Sequence, residues 1–124
     1  MNKITSFKQI KAIIEPIPAE KFIIGRFGDG KGNCCFLGHI HVALSESKDS
    51  TNNNYNGDSC GYGARDLTKK FFEEVHPKVK EYHMTPNGAS VNNSPTINGY
   101  TETVIKDRLM HMIEDGIKWE ESKL

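Results

Sequence analysis

Apolar residues return every three to four positions in three stretches of the chain, and in a fourth they crowd together. Phe7, Ile10, Ile13 and Ile14 share one face of a helix expected over residues 6–15, with Thr5 or Ser6 as its cap and Pro16 and Pro18 beyond its end. Leu67, Phe71 and Val75 stack at helical spacing, with Phe72 widening the stripe, and predict a helix over 64–75. Val104, Ile105, Leu109, Met112 and Ile113 mark a last helix starting near Thr101, which Gly116 is expected to end or loosen. The two later helices are expected to pack on each other as the main core.

The crowded stretch is Cys34-Cys35-Phe36-Leu37-Gly38-His39-Ile40-His41. It reads as a helix over 34–44 capped by Asn33, with a second hairpin strand as the alternative. Phe22, Ile23, Ile24 and Phe27 read as a short strand over 21–27, and the glycines from Gly28 to Gly32 as the turn after it. Ala89 to Val91 reads as another short strand. Together these predict a small single α+β domain over 1–124, three to four helices with a short β-hairpin or small antiparallel sheet. Residues 45–63 are expected to form a flexible polar loop, and 120–124 a frayed tail.

Charge narrows the partners. Sixteen Lys and Arg balance sixteen Asp and Glu, which argues against nucleic acid, whose binders usually carry a basic surplus. No apolar run approaches the roughly 20 residues of a membrane span, and no leader-like segment opens the chain. Three cysteines make a poor disulfide framework, so a reduced, cytoplasmic protein is expected.

Chemistry concentrates around the adjacent cysteines. An enzyme built there would use Cys34 as nucleophile, His39 as base and Asn92 as orienter, because a nearby imidazole favours the thiolate. The bland reading is that Cys34 and Cys35 are small core residues at a helix start, as the flanking Phe36, Leu37, Ile40 and Val42 suggest. A structural zinc site fits poorly: Cys34, Cys35, His39, His41 and Cys60 lack any C-x-x-C or H-x-x-x-H spacing. No metal and no cofactor is expected. Gly25 to Lys31 matches G-x-x-x-x-G-K, but Gly32 stands where the magnesium-binding Ser or Thr belongs. A weaker reading keeps the turn as an anion site, with backbone N–H groups beside Arg26 and Lys31. Asn52, Asn54, Asn56 and Gly57 mimic a calcium loop whose closing Glu is missing at Gly63. The candidate ligand-binding set is therefore Arg26, Lys31, His39, Asn92 and Asn93.

Cys-Cys-Phe-Leu-Gly after a short turn, Ser90-Val91-Asn92-Asn93, and the spacing of Thr101, Val104, Ile105 and Leu109 resemble a family of small uncharacterised bacterial and bacteriophage proteins, domain of unknown function 6197. Asn93 stands where that family usually has Asp. The resemblance implies a phage- or bacterium-encoded protein of the bacterial cytoplasm, and no activity. With it, the expected function is a non-enzymatic accessory protein acting by binding. Such a protein would inhibit a host protein, for instance one of defence, or sequester a small nucleotide-like ligand. It could also form a homo-oligomer. The alternative is a small cysteine-dependent hydrolase or transferase.

Overall fold

The computed structural model describes residues 3–45, 60–78, 86–97 and 99–124. Most of the 45–63 loop lies outside them. Among the described residues are five α-helices: α1 (Phe7–Ile14), α2 (Phe36–Leu44), α3 (Ala64–Val75), α4 (Gly88–Asn93) and α5 (Ile105–Glu121). Single-turn 3-10 segments, Ala19–Lys21 and Cys60–Gly63, precede α2 and α3.

The fold is helical, and the expected hairpin or small sheet is not formed among these residues. Phe22 and Gly28 each bridge to Cys34 in isolation, and no ladder extends from either. Two features stop a ladder. Gly25 takes φ +89°, which breaks the extended run. The carbonyl of Ile23 is taken by the Asn92 side chain at 3.0 Å rather than by a neighbouring strand. The expected strand at Ala89–Val91 is likewise wrong. Asn87 caps that segment as a helix: its side chain accepts from the Ala89 N–H at 2.7 Å, and its own N–H donates to Ser90 Oγ at 3.3 Å.

Other elements follow local chemistry. Of the two expected caps, Ser6 caps α1, in a reciprocal box with Gln9. Cys35, not Asn33, caps α2, its thiol accepting from the Gly38 N–H at 3.4 Å. Asn33 instead binds Asp29. Gly116 does not end α5. It lies inside the helix beneath the Phe7 ring, which a Cβ would strike. That contact closes α1 onto α5. Glu120, further along α5, accepts the Phe7 N–H at 2.8 and 3.0 Å.

One core runs through all five helices. Its aromatic centre is Phe7, Phe71 and Phe72, with Trp119 against Phe7 and Phe71. The closest neighbours of α5 are α1 and α4; α3 touches it less extensively than the expected pairing implied.

Candidate functional site

The cleft forms where four segments meet: the irregular Gly25–Phe27 stretch, the start of α2, the first turn of α3 and one face of α4. It is open, and its volume is about 860 Å³. Phe27, Leu37 and Ala89 give it an apolar wall. Arg26 and Arg65 are its only charged lining residues among those described, and the remaining polar groups are Asn and Ser side chains of the α4 segment.

Two glycines permit this meeting of elements. A Cβ at Gly38 would collide with the Phe27 backbone carbonyl, so glycine lets α2 lie flat against the Gly25–Phe27 stretch. A Cβ at Gly88 would enter the Phe36 ring, so glycine lets α4 sit on the start of α2. Thr68 fastens α4 from the other side, accepting the Gly88 N–H at 2.8 Å while donating to the Ala64 carbonyl of α3.

Asn92 is the centre of the polar framework and is fully buried. Its Oδ1 accepts the Phe36 N–H at 3.0 Å, one of the free donors at the start of α2. Its Nδ2 donates to Ile23 O and to Asn93 Oδ1, both at 3.0 Å. Arg108, 1 % exposed, holds the other end of α4. Its guanidinium donates to the carbonyls of Val91 and Asn92, and to those of Glu102 and Thr103 before α5. Burial pushes the Arg108 guanidinium down from its usual pKa, with Glu102 opposing.

Matched against known family models, curated proteins and solved structures, the chain finds no similar protein. The site's chemistry is therefore read from its own geometry.

Of the predicted ligand residues, the structure brings Arg26 and Asn93 into the cleft. The other three lie elsewhere. Asn92 is consumed by the framework just described. His39 is buried beside the Phe22 ring, and its Nε2–H donates to the Lys21 carbonyl at 2.8 Å. That fixes the tautomer. Burial lowers the pKa of His39, the carbonyl opposing. Lys31 sits on a turn that carries its own anion: Asp29 Oδ1 accepts the Lys31 N–H at 2.8 Å and the Asn33 N–H at 3.2 Å. The backbone donors proposed for a ligand are thus filled by the chain's own carboxylate. Asp29 has its pKa lowered by the Asn33 amide and these N–H groups.

Cys34, His39 and Asn92 form no relay, because no hydrogen bond links the thiol to either partner. Cys34 is 1 % exposed, and burial pushes its thiol up to about 11. Cys35 does line the cleft, yet burial raises its thiol too, against the pull of the Gly38 and Leu37 N–H groups. No three His, Cys, Asp or Glu side chains gather as metal ligands among the described residues. The Cys60 side chain and the Asn52–Asn56 motif lie outside those residues.

The sequence reading missed Arg65, Asn87 and Ser90 as cleft residues and Arg108 as an anchor. Arg65 sits on the wet side of a helical pattern, and only the docking of α2 and α4 against α3 turns it into a wall. Arg108 lies within the apolar stripe of α5, beside Leu109, and that misplaced charge was the one available signal.

Proposed function

We propose that the protein is a non-enzymatic accessory protein, of bacterial or phage origin, that binds a small nucleotide-like ligand in this cleft. The observation that carries the reading is the cleft itself: about 860 Å³, within the roughly 300–1,000 Å³ of small-molecule sites, with two arginines and no acidic group among its described lining residues. A concave site of that size favours a small ligand over inhibition of a host protein, which needs a broad surface. No described helix is long and apolar enough to cross a membrane.

The test is native mass spectrometry of the full chain purified from cells, alongside Ala89→Trp, which fills the cleft. The expected result is a small-molecule mass increment on the wild-type chain and none on a variant that still melts cooperatively. A wild-type chain with no increment at any stage of gentle purification would sink the reading.

One observation favours the cysteine-dependent hydrolase or transferase: Cys35 opens onto the same cleft as the two arginines. That reading requires a thiolate near neutral pH, whereas burial works against one. Iodoacetamide labelling of the folded protein separates the two. Slow labelling that rises only well above the ~8.5 of a free thiol supports binding; rapid labelling at pH 7 supports the enzyme.

A further inference from the structure

We infer that the cleft recognises a phosphate ester, held by a donor-only set made of Arg26, Arg65 and the amide N–H₂ of Asn93. The inference rests on the cleft being a small-ligand site, and it names the group that the site reads.

The orientation of Asn93 is dictated from within the core. Asn92 must present its Oδ1 to the Phe36 N–H, because an amide nitrogen there would face another donor. Both hydrogens of Asn92 Nδ2 then point to acceptors, Ile23 O and Asn93 Oδ1. Asn93 has its carbonyl turned inward as a result, and its N–H₂ group has no acceptor among the described residues. The buried asparagine thereby sets the polarity of its exposed neighbour.

The arginines complete the set. Neither Arg26 nor Arg65 makes a side-chain ion pair or hydrogen bond among the described residues, and of the described cations these two line the cleft. The carboxylate nearest Arg26 in sequence, Asp29, is bound into its own turn. Each guanidinium offers five N–H donors, so two of them with an amide far exceed what one carboxylate accepts. A phosphate monoester suits them better, with about −1.5 to −2 charge at pH 7 and three strongly accepting oxygens.

The experiment is calorimetric titration of the full chain with AMP, adenosine, ribose 5-phosphate, ribose and inorganic phosphate. AMP or ribose 5-phosphate should bind at least about tenfold more tightly than its unphosphorylated counterpart, a factor that falls as salt rises. The two phosphorylated arms show whether a base adds to the contact. Arg65→Gln and Arg26→Gln should each erase most of that factor. Asn93→Asp keeps the acceptor that Asn92 needs, so its melting point should hold while phosphate binding drops about tenfold or more. Equal affinity for AMP and adenosine would overturn the phosphate assignment and leave the small-ligand reading intact. Binding by none of the five probes would also overturn it; the small-ligand reading would then stand or fall on the mass increment.

Discussion

The aromatic half of the molecule and the half that carries the cleft are held together by different forces. In the first, α1, α3 and the C-terminal part of α5 meet through rings. Phe7 and Phe71 lie 5.3 Å apart edge to face, and Trp119 closes on both at 6.1 and 5.7 Å. Regular helices satisfy most of their own backbone there, Glu120 and the Ser6 cap serving the start of α1, so most side chains are free to supply apolar contact. In the second, Gly25 to Cys35 and the short α4 leave many backbone groups without a repeating partner. Side chains answer them: Asn92 serves Phe36 and Ile23, Arg108 serves four carbonyls, and Asp29 serves its own turn. Irregular backbone makes a cleft wall, and buried polar anchors are the cost of keeping it rigid.

The largest effect should come from the aromatic half. Phe71→Ala is expected to lower stability by about 3–5 kcal/mol in a urea melt, the usual cost of a large core ring. A loss under about 1 kcal/mol would mean that the rings do not carry that half. Arg108→Met should cost about 3 kcal/mol by leaving buried carbonyls without donors, although the new side chain is apolar. Asn92→Ala should cost about 2 kcal/mol through the orphaned Phe36 N–H. Because Arg108 also binds the Asn92 carbonyl, these two should couple, their double mutant departing from additivity by about 0.5 kcal/mol or more. Asn92→Ala with Phe71→Ala should add, since they share no partner; strong coupling between them would erase the distinction between the halves.

The smallest effect is a pH dependence shared by both halves. His39 and His76 each have their pKa lowered by burial from the model-peptide value of 6.5. The unfolded chain then takes up protons first as pH falls, so their contribution to stability is complete above about pH 6.5 and is lost below it. The urea midpoint should decline from pH 7 to pH 5. His39→Gln, whose amide can still donate to the Lys21 carbonyl, should flatten that decline. An unchanged slope would show that His39 is not the buried neutral group described.

Much of the helical frame was legible beforehand. A cap at Thr5 or Ser6, and the stripes through α1, α3 and α5, depend on contacts within a few residues, and such periodicity survives in a single sequence. The apolar setting of Cys34 and Cys35 also pointed to their burial. The hairpin was misread because Phe22 to Phe27 has strand-like composition, while its hydrogen-bonding partner is an asparagine some seventy residues away. Gly116 was misread because its meaning depends on Phe7, at the other end of the chain.

Local pattern, then, determined the helices α1, α3 and α5 and most of the face each buries, since helix spacing and capping are properties of neighbours in sequence; α4 was expected as a strand, and Val75 and Val104 of the expected stripes are exposed. Tertiary structure alone decided that Arg26, Arg65 and Asn93 share one cleft while Lys31, His39 and Asn92 do not. The side chains of His39 and Asn92 are claimed by distant backbone and side-chain partners, and a side chain already satisfied inside the fold has little left to offer a ligand; Lys31 is absent from the cleft lining because the turn that carries it folds around Asp29.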